Sequence, residues 1–216
     1  MSDYLDGISN STRYFFLKFQ NFFNQGYRQF LEHEYAQHFS EIHLDLTLEE
    51  IAKSNPEFNI NFDILKERNE TDSHKFYYKA GRLFAKSKTS PNINEYDKVI
   101  LIGNLPVVLE IKLAKWHRSA NKYKGPSNIG TKYNLNPDFY NKKLEPIRNL
   151  FGSDVGYVMI ISQDYYYKRT NSRVNSIYHN FVRDGGIVMP FYTDRQSFRR
   201  DVLRIVDQYQ LKLKEG

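Results

Sequence analysis

The 216-residue chain contains no cysteine, so disulfide bonds and thiolate metal sites are excluded. Zinc fingers built on cysteine are excluded with them, and a reducing cytoplasmic compartment fits this composition. Long apolar runs are also missing, because the longest, VILI and YVMII, are far too short to cross a bilayer. The first residues lack the basic and apolar segments of a signal peptide. We therefore expect a cytoplasmic protein without a membrane partner.

Several enzyme signatures are absent from the sequence. Its six histidines show no H-E-x-x-H or comparable metal-ligand spacing. No phosphate-binding P-loop, dinucleotide fingerprint or G-x-S-x-G nucleophile turn is present. ATP hydrolysis, redox chemistry and serine-hydrolase activity therefore have no support.

Composition and charge indicate a folded protein with a basic character. Apolar residues make up 40% and aromatic residues 16% of the chain, which is typical of a globule with a sizeable core. Lysine and arginine outnumber aspartate and glutamate by 31 to 25, a net charge of +6. This excess favours a polyanionic partner, and the distribution of the charges matters more than their sum.

The apolar pattern predicts the order helix, hairpin, helix, strand, strand, helix. This order is typical of an α/β domain with a mixed sheet, and no repeat or linker divides it. We expect one domain over residues 1–216, with flexible residues 1–10 and a core at about 75–210. The predicted helices are a long amphipathic N-terminal helix over 12–39, a short helix from Thr47, a helix from Pro137 to Gly152 and a closing helix over 195–213. The helix from Thr47 is predicted because T-L-E-E resembles a capping box. The predicted strands lie on either side of Gly81, in a hairpin within 96–116, and at VGYVMIIS and GGIVMPFYT.

The hairpin stretch YDKVILIGNLPVVLEIKLAKW, residues 96–116, has apolar runs on both sides of a Gly-Asn pair at 103–104. A glycine at the first of two loop positions suits a type II′ turn. With this turn, Asp97 lies directly opposite Glu110. Since strand side chains alternate, Lys112 lies on the same side as Glu110.

Like charges that face each other across a hairpin are destabilising, so Asp97 and Glu110 need compensation. Mg²⁺ would supply it, because this ion takes hard oxygen ligands and uses one or two carboxylates together with substrate phosphate. The Lys112 ammonium would then lie beside the scissile phosphate. In the alternative interpretation these are ordinary solvated charges, and Glu95 forms a surface ion pair with Lys112.

Asp97 and the triplet E-I-K at 110–112, on a hairpin followed by a helix and a buried strand, resemble the PD-(D/E)XK nuclease superfamily. The resemblance covers about residues 75–210 in element order, but only three residues in motif. One departure is Tyr96, which stands where the family often has proline. The resemblance implies a restriction-endonuclease-like core with a central mixed sheet flanked by helices.

The resemblance also implies roles for individual residues. Asp97, Glu110 and the backbone carbonyl of Ile111 would bind Mg²⁺, for which Mn²⁺ would substitute, and Lys112 would act on the attacking water. Family members often add a glutamate from the first helix. Glu34 is the predicted one, because on a helical wheel it lies on the side of the aromatic residues. A helix-end acid paired with a surface base is the alternative for Glu34.

A basic segment follows the E-I-K triplet, since no acidic residue occurs between Ile111 and Pro137. Its basic side chains would contact phosphates, and its polar side chains would read the edges of the nucleobases. The stretch YYYKRTNSR, 165–173, is a second candidate of this kind, and a plain solvated loop is the alternative for both. The predicted nucleic-acid-binding residues are Lys115, Arg118, Lys122, Lys124, Ser127, Asn128 and Lys132.

Together these observations predict a Mg²⁺-dependent endonuclease that hydrolyses phosphodiester bonds in double-stranded DNA. Within this class a restriction enzyme that cuts as a homodimer is favoured, because two-fold symmetry suits double-strand cleavage. A repair, recombination or junction-resolving nuclease with the same site is an alternative. A nucleic-acid-binding protein whose acids never bind metal is the alternative of a different class.

Overall fold

A computed structural model describes residues 36–66, 68–79, 81–113, 137–152, 154–163, 166 and 179–215. These residues form an α/β fold with a mixed sheet flanked by helices, as predicted. The strands are β1 (Ile60–Asn61), β2 (His74–Lys79), β3 (Arg82–Ser87), β4 (Ile93–Tyr96), β5 (Lys98–Ile102), β6 (Leu105–Lys112), β7 (Gly156–Ser162) and β8 (Ile187–Phe191). The helices are α1 (Ala36–Ser54), a short 3-10 helix (Pro56–Phe58), α2 (Pro137–Phe151) and α3 (Arg195–Glu215).

The strands form two sheets. The large sheet has the order β1-β5-β6-β7-β8, in which β5 pairs antiparallel with β6, and β6, β7 and β8 run parallel. Parallel neighbours need a crossover connection, and α2 lies in the connection from β6 to β7. The small sheet is the antiparallel set β2-β3-β4.

Hydrophobic clusters cover both faces of the large sheet. Helices α1 and α3 pack on one face, where α3 contributes Phe198, Val202, Ile205 and Val206 as predicted. Helix α2 and the inner side of the small sheet pack on the other face. Strand β6 is buried on both faces, so its alternate side chains enter different clusters.

The predicted hairpin register is confirmed. Ile102 pairs with Leu105 and Val99 with Val108, so the turn is centred on residues 103–104. Gly103 has φ +58, as the first loop position of a type II′ turn requires. The register places Asp97, one residue before β5, across from Glu110.

The chain changes sheets at Asp97, which the sequence pattern did not predict. Tyr96 ends β4 and pairs with Leu83 in the small sheet, whereas Lys98 begins β5 and pairs with Leu109 in the large sheet. Asp97 is therefore the only residue between β4 in the small sheet and β5 in the large sheet.

The end of α2 also agrees with the sequence prediction. Gly152 follows the helix at φ +63, and its N–H donates to the carbonyl of Arg148 at 2.7 Å. A left-handed glycine that closes the last turn is a common helix terminator.

The helix predicted after Thr47 is present, but its predicted start at this residue is wrong. Thr47 lies inside α1, and its hydroxyl donates to the carbonyl of His43 at 2.7 Å. A T-x-x-E pattern within a helix looks the same in sequence as a capping box at its start. Of the helix predicted over 12–39, only 36–39 falls in the described residues, and residues 1–10 lie outside them.

Among the helices that the structure describes, none combines the length and the apolar character needed to cross a membrane.

Candidate functional site

Three predicted site residues, Asp97, Glu110 and Lys112, meet at the carboxyl end of β6. The Lys112 Nζ lies 3.2 Å from Oδ2 of Asp97 and 3.1 Å from Oε2 of Glu110. The backbone N–H of Ile111 donates to the same Asp97 Oδ2 at 2.9 Å. The Asp97 N–H donates in turn to Oε1 of Glu110 at 3.4 Å. The hairpin register and these hydrogen bonds together hold the two carboxylates in place.

The two acids and the lysine differ in their access to solvent. Glu110 is fully buried and Asp97 is 9% exposed, whereas the Lys112 side chain is 29% exposed. Glu110 is buried because its side of β6 also carries Val108, which packs under α2 and the small sheet. The cluster therefore reaches solvent mainly through Lys112.

A second lysine, Lys143 on α2, completes the cluster and was missed in the sequence. Its Nζ lies 2.6 Å from Oε1 of Glu110 and 5.5 Å from the centre of the Tyr96 ring. The Tyr96 hydroxyl donates to the Lys143 carbonyl at 2.7 Å. Helical spacing could have indicated its position. Lys143 follows Tyr140 by three residues and precedes Ile147 by four, which places it on the same side of the helix as these two buried residues.

Two carboxylates thus face two ammonium groups in a largely buried place. Burial alone would lower the pKa of Lys112, but the charges of Glu110 and Asp97 outweigh it and the pKa is raised. Burial, and next the charge of Glu110, raise the pKa of the Tyr96 and Tyr157 hydroxyls. The site therefore favours a charged Lys112 and neutral tyrosines.

The donor set fits a hard cation that takes few protein ligands. Oε2 of Glu110 is buried, and the Lys112 ammonium lies 3.1 Å from it. Two carboxylates and the Ile111 carbonyl are the oxygen ligands that Mg²⁺ uses alongside water and phosphate. The described part of the chain has no group of three or more His, Asp or Glu side chains that could hold a metal on their own.

The surface ion pair proposed between Glu95 and Lys112 is wrong. Glu95 lies on β4 in the small sheet and pairs with Arg82. Arg82 also binds Glu41 of α1, with Nη2 at 2.6 Å from Oε1. The change of sheet at Asp97 explains this partner, because β4 pairs with β3 and not with β6.

The remaining predicted site residues lie outside the described residues. These are Glu34 and the basic segment with Lys115, Arg118, Lys122, Lys124, Ser127, Asn128 and Lys132. The second basic stretch, 165–173, is also outside them apart from Tyr166. Their proposed roles stay predictions.

Comparison of the chain with models of protein families, with curated proteins and with solved structures found no match. The resemblance to the PD-(D/E)XK superfamily therefore stays a prediction from three residues and the order of the elements. The case for function depends on the geometry around Asp97 and Glu110.

Proposed function

We propose that the protein is a Mg²⁺-dependent endonuclease of the PD-(D/E)XK type that hydrolyses phosphodiester bonds in DNA. The observation that supports it most is the meeting of Asp97, Glu110 and Lys112 at one end of the large sheet. Two acids and an ammonium, buried on one side and open on the other, suit the hydrolysis of a phosphodiester.

Asp97 and Glu110, with the carbonyl of Ile111, would hold the cation. When bound, Mg²⁺ supplies Lewis-acid polarisation of the phosphate and lowers the pKa of water. The chain fixes both carboxylates in advance, because Asp97 is tied to the Ile111 amide and Glu110 to Lys143. Such preorganisation limits the reorganisation needed during the reaction.

Lys112 would contact the substrate, because it is the most exposed member of the cluster. Its ammonium donates hydrogen bonds and carries a positive charge, both of which stabilise negative charge on a phosphate during cleavage. Lys143 is more buried and lies against Glu110 and Tyr96. It is a positioning residue that holds the Glu110 carboxylate.

A restriction enzyme that cuts double-stranded DNA as a homodimer is the favoured member of this class. Two-fold symmetry in the enzyme matches cleavage of both strands of a symmetric site. A repair, recombination or junction-resolving nuclease would use the same residues. The products distinguish them, since discrete plasmid fragments indicate restriction and nicking at branched DNA indicates resolution.

One observation favours a second function, a nucleic-acid-binding protein without catalysis. Lys112 and Lys143 already balance the charges of Asp97 and Glu110. Buried clusters of this kind also occur as purely structural features. In that case the four side chains join α2 to the hairpin and never bind metal.

Cleavage assays test the proposal. Wild type, Glu110→Gln and Lys112→Ala are incubated with plasmid DNA and with RNA, in Mg²⁺, Mn²⁺ or EDTA. We expect Mg²⁺-dependent cleavage of DNA by the wild type and a loss of about 100-fold or more in each variant, as for removal of one group that stabilises a transition state. Glu145→Gln, an exposed acid on α2, is the matched control and should cut normally.

Thermal unfolding separates the two functions if cleavage fails. Under the nuclease proposal, Mg²⁺ raises the Tm of the wild type but not of Glu110→Gln, because a ligand stabilises only the form that binds it. The nuclease proposal is wrong if the wild type binds DNA but cuts neither polymer with any divalent metal and its Tm does not depend on Mg²⁺. That result would support the second function.

A further inference from the structure

The small sheet has an outer face that the candidate nuclease site does not use. Phe76, Leu83, Ala85 and Tyr96 are buried on its inner side, so their neighbours along each strand point outward. None of these neighbours is buried. The outer face consists of Lys75, Tyr77 and Lys79 on β2, Arg82, Phe84 and Lys86 on β3, and Ile93 and Glu95 on β4.

Like charges oppose each other on this face. Lys75 pairs directly with Lys86 across the two strands, and both are exposed. A directly facing pair of like charges is destabilising, yet within the described residues neither ammonium has an ion pair. Glu70, which forms a backbone bridge with Lys75, places its carboxylate 3.3 Å from the Nζ of Lys88 instead.

The one acid on the outer face does not neutralise its lysines. Glu95 pairs with Arg82, which also binds Glu41. Lys75, Lys79 and Lys86 therefore remain as three ammonium groups without an acidic partner among the described residues. A polyanionic ligand would supply the negative charge that the described residues do not.

Aromatic rings lie between the rows of lysines. Tyr77 pairs with Phe84 across the strands, with ring centres 5.4 Å apart and planes within 9°. Both rings are partly exposed, and Ile93 beside Lys86 is 51% exposed. Surfaces that bind single-stranded nucleic acid combine exposed aromatic rings with basic side chains, because nucleobases stack on the rings and phosphates contact the cations.

We propose that the outer face of the small sheet binds a single-stranded nucleic acid. Lys75, Lys79 and Lys86 contact its phosphates, and its bases stack on the Tyr77 and Phe84 rings. This inference goes beyond the proposed function, because it adds a single-stranded nucleic acid as the ligand of a separate face, and it does not rest on cleavage.

The outer face and the acid cluster lie on different sides of the small sheet and are joined through the end of β4. Glu95 lies on the outer face two residues before Asp97, and the strand order places Arg82 at the same end of the sheet. This end of the outer face therefore leads along the chain into Asp97, whereas Tyr96, which contacts Lys143 of the acid cluster, points to the inner side.

Fluorescence anisotropy in EDTA measures binding without cleavage, so it stays informative if the protein proves not to be a nuclease. The probes are labelled oligothymidylate and oligouridylate of about 12 nucleotides, within the range of known single-strand sites, an abasic oligonucleotide of the same length, and a duplex. The double variant Lys75→Ala with Lys86→Ala removes the facing ammonium groups. The control variant, Lys142→Ala with Lys212→Ala, removes two exposed lysines from the helices.

We expect the wild type to bind either single strand, and the double variant to weaken that binding while leaving duplex binding unchanged. The double variant should reduce the slope of log affinity against log salt by about 1.4, because each phosphate contact in a single strand contributes about 0.7. Phe84→Leu should weaken binding of oligothymidylate about 5-fold or more, as for loss of one stacked base, and leave the abasic probe unchanged.

Three results would overturn the inference: equal loss of salt dependence in the control variant, an equal loss of duplex binding in the double variant, or no effect of Phe84→Leu with the fold intact by circular dichroism. Equal binding of the thymidine and uridine probes supports it as stated, and preference for one identifies the natural polymer. Loss of cleavage by Glu110→Gln with normal oligonucleotide binding separates the fate of this inference from that of the nuclease proposal.

Discussion

This protein has two pairs of like-charged residues in which the two members face each other across neighbouring strands. The pairs differ in their burial and in their partners. Asp97 and Glu110 are buried, and two lysines lie within 3.2 Å of their carboxylate oxygens. Lys75 and Lys86 are exposed, and no acid in the described part of the chain pairs with them. The first pair is balanced inside the protein, whereas the second leaves its charge on the surface.

Solvent accounts for the difference. A buried charge loses its hydration and is tolerated only when it is paired and hydrogen-bonded. An exposed charge is screened by water and salt, so a like-charged pair costs little there. Burial therefore requires partners from the chain itself, and exposure allows the partner to be another molecule. The predictions below test this contrast, from the largest expected effect to the smallest.

Removing the ammonium of Lys143, which contacts the buried Glu110 carboxylate, should have the largest effect. Lys143→Met leaves the Glu110 carboxylate without its contact at 2.6 Å, and breaking one side of a buried ion pair typically costs about 3 to 5 kcal/mol. Lys142→Met, its exposed neighbour, should change the free energy of unfolding by less than about 0.5 kcal/mol. Urea denaturation measures both, and equal losses would contradict the importance of burial.

A buried histidine tests the same rule through pH. Burial, and next Arg195, lower the pKa of His43 from its ordinary 6.5 to about 4, against the opposing charge of Asp194. The unfolded chain therefore binds the proton more readily, and the stabilisation is complete above pH 6.5 and lost as the pH falls towards 4.

The shift of His43 corresponds to about 3 kcal/mol between those two pH values. Thermal unfolding from pH 7 to pH 4 should show the decline in the wild type and a smaller one in His43→Leu. The same pH dependence in both proteins would show that His43 does not titrate on unfolding.

Loss of a neutral contact at the buried cluster should cost less. Tyr96→Phe removes the hydroxyl that donates to the Lys143 carbonyl at 2.7 Å, and a typical hydrogen bond contributes about 1 kcal/mol. Tyr78→Phe is the control, because its hydroxyl donates to the Phe62 carbonyl at 3.2 Å on the surface. We expect a smaller change there by urea denaturation, and the reverse order would argue against a tightly held cluster.

The exposed pair should respond in the opposite direction. Lys86→Glu converts its facing pair with Lys75 into an opposite-charge pair, which should stabilise the free protein by about 0.2 to 1 kcal/mol. The same change should weaken binding of single-stranded nucleic acid. Lys66→Glu, an exposed lysine outside the sheets, should leave stability unchanged. A Lys86→Glu protein that is less stable than the wild type would contradict the interpretation of this face.

Local pattern predicted the hairpin well. The Gly-Asn turn and the alternation of apolar residues determine the register, and with it the approach of Asp97 to Glu110. Both signals act over a few residues, so sequence alone is sufficient. Whether those acids bind metal depends on chemistry that no local pattern encodes.

Long-range pairing explains what the sequence did not reveal. Lys143 reaches Glu110 from a helix 33 positions later in the chain, and only its place on the buried side of α2 hinted at a role. The division into two sheets depends on β4 choosing β3 as its neighbour. Nothing within residues 93–102 distinguishes one long strand from two strands that meet at Asp97.

The join at Asp97 has a mechanical consequence. One residue connects β4 to β5. The outer face of the small sheet is therefore joined directly to the Asp97 carboxylate that the nuclease proposal requires. Because Tyr96 and Lys98 are held in different sheets, a change in the angle between β4 and β5 requires a change in the φ and ψ angles of Asp97. The backbone angles of one residue therefore determine both the angle between these strands and the direction in which the Asp97 carboxylate meets the Ile111 amide.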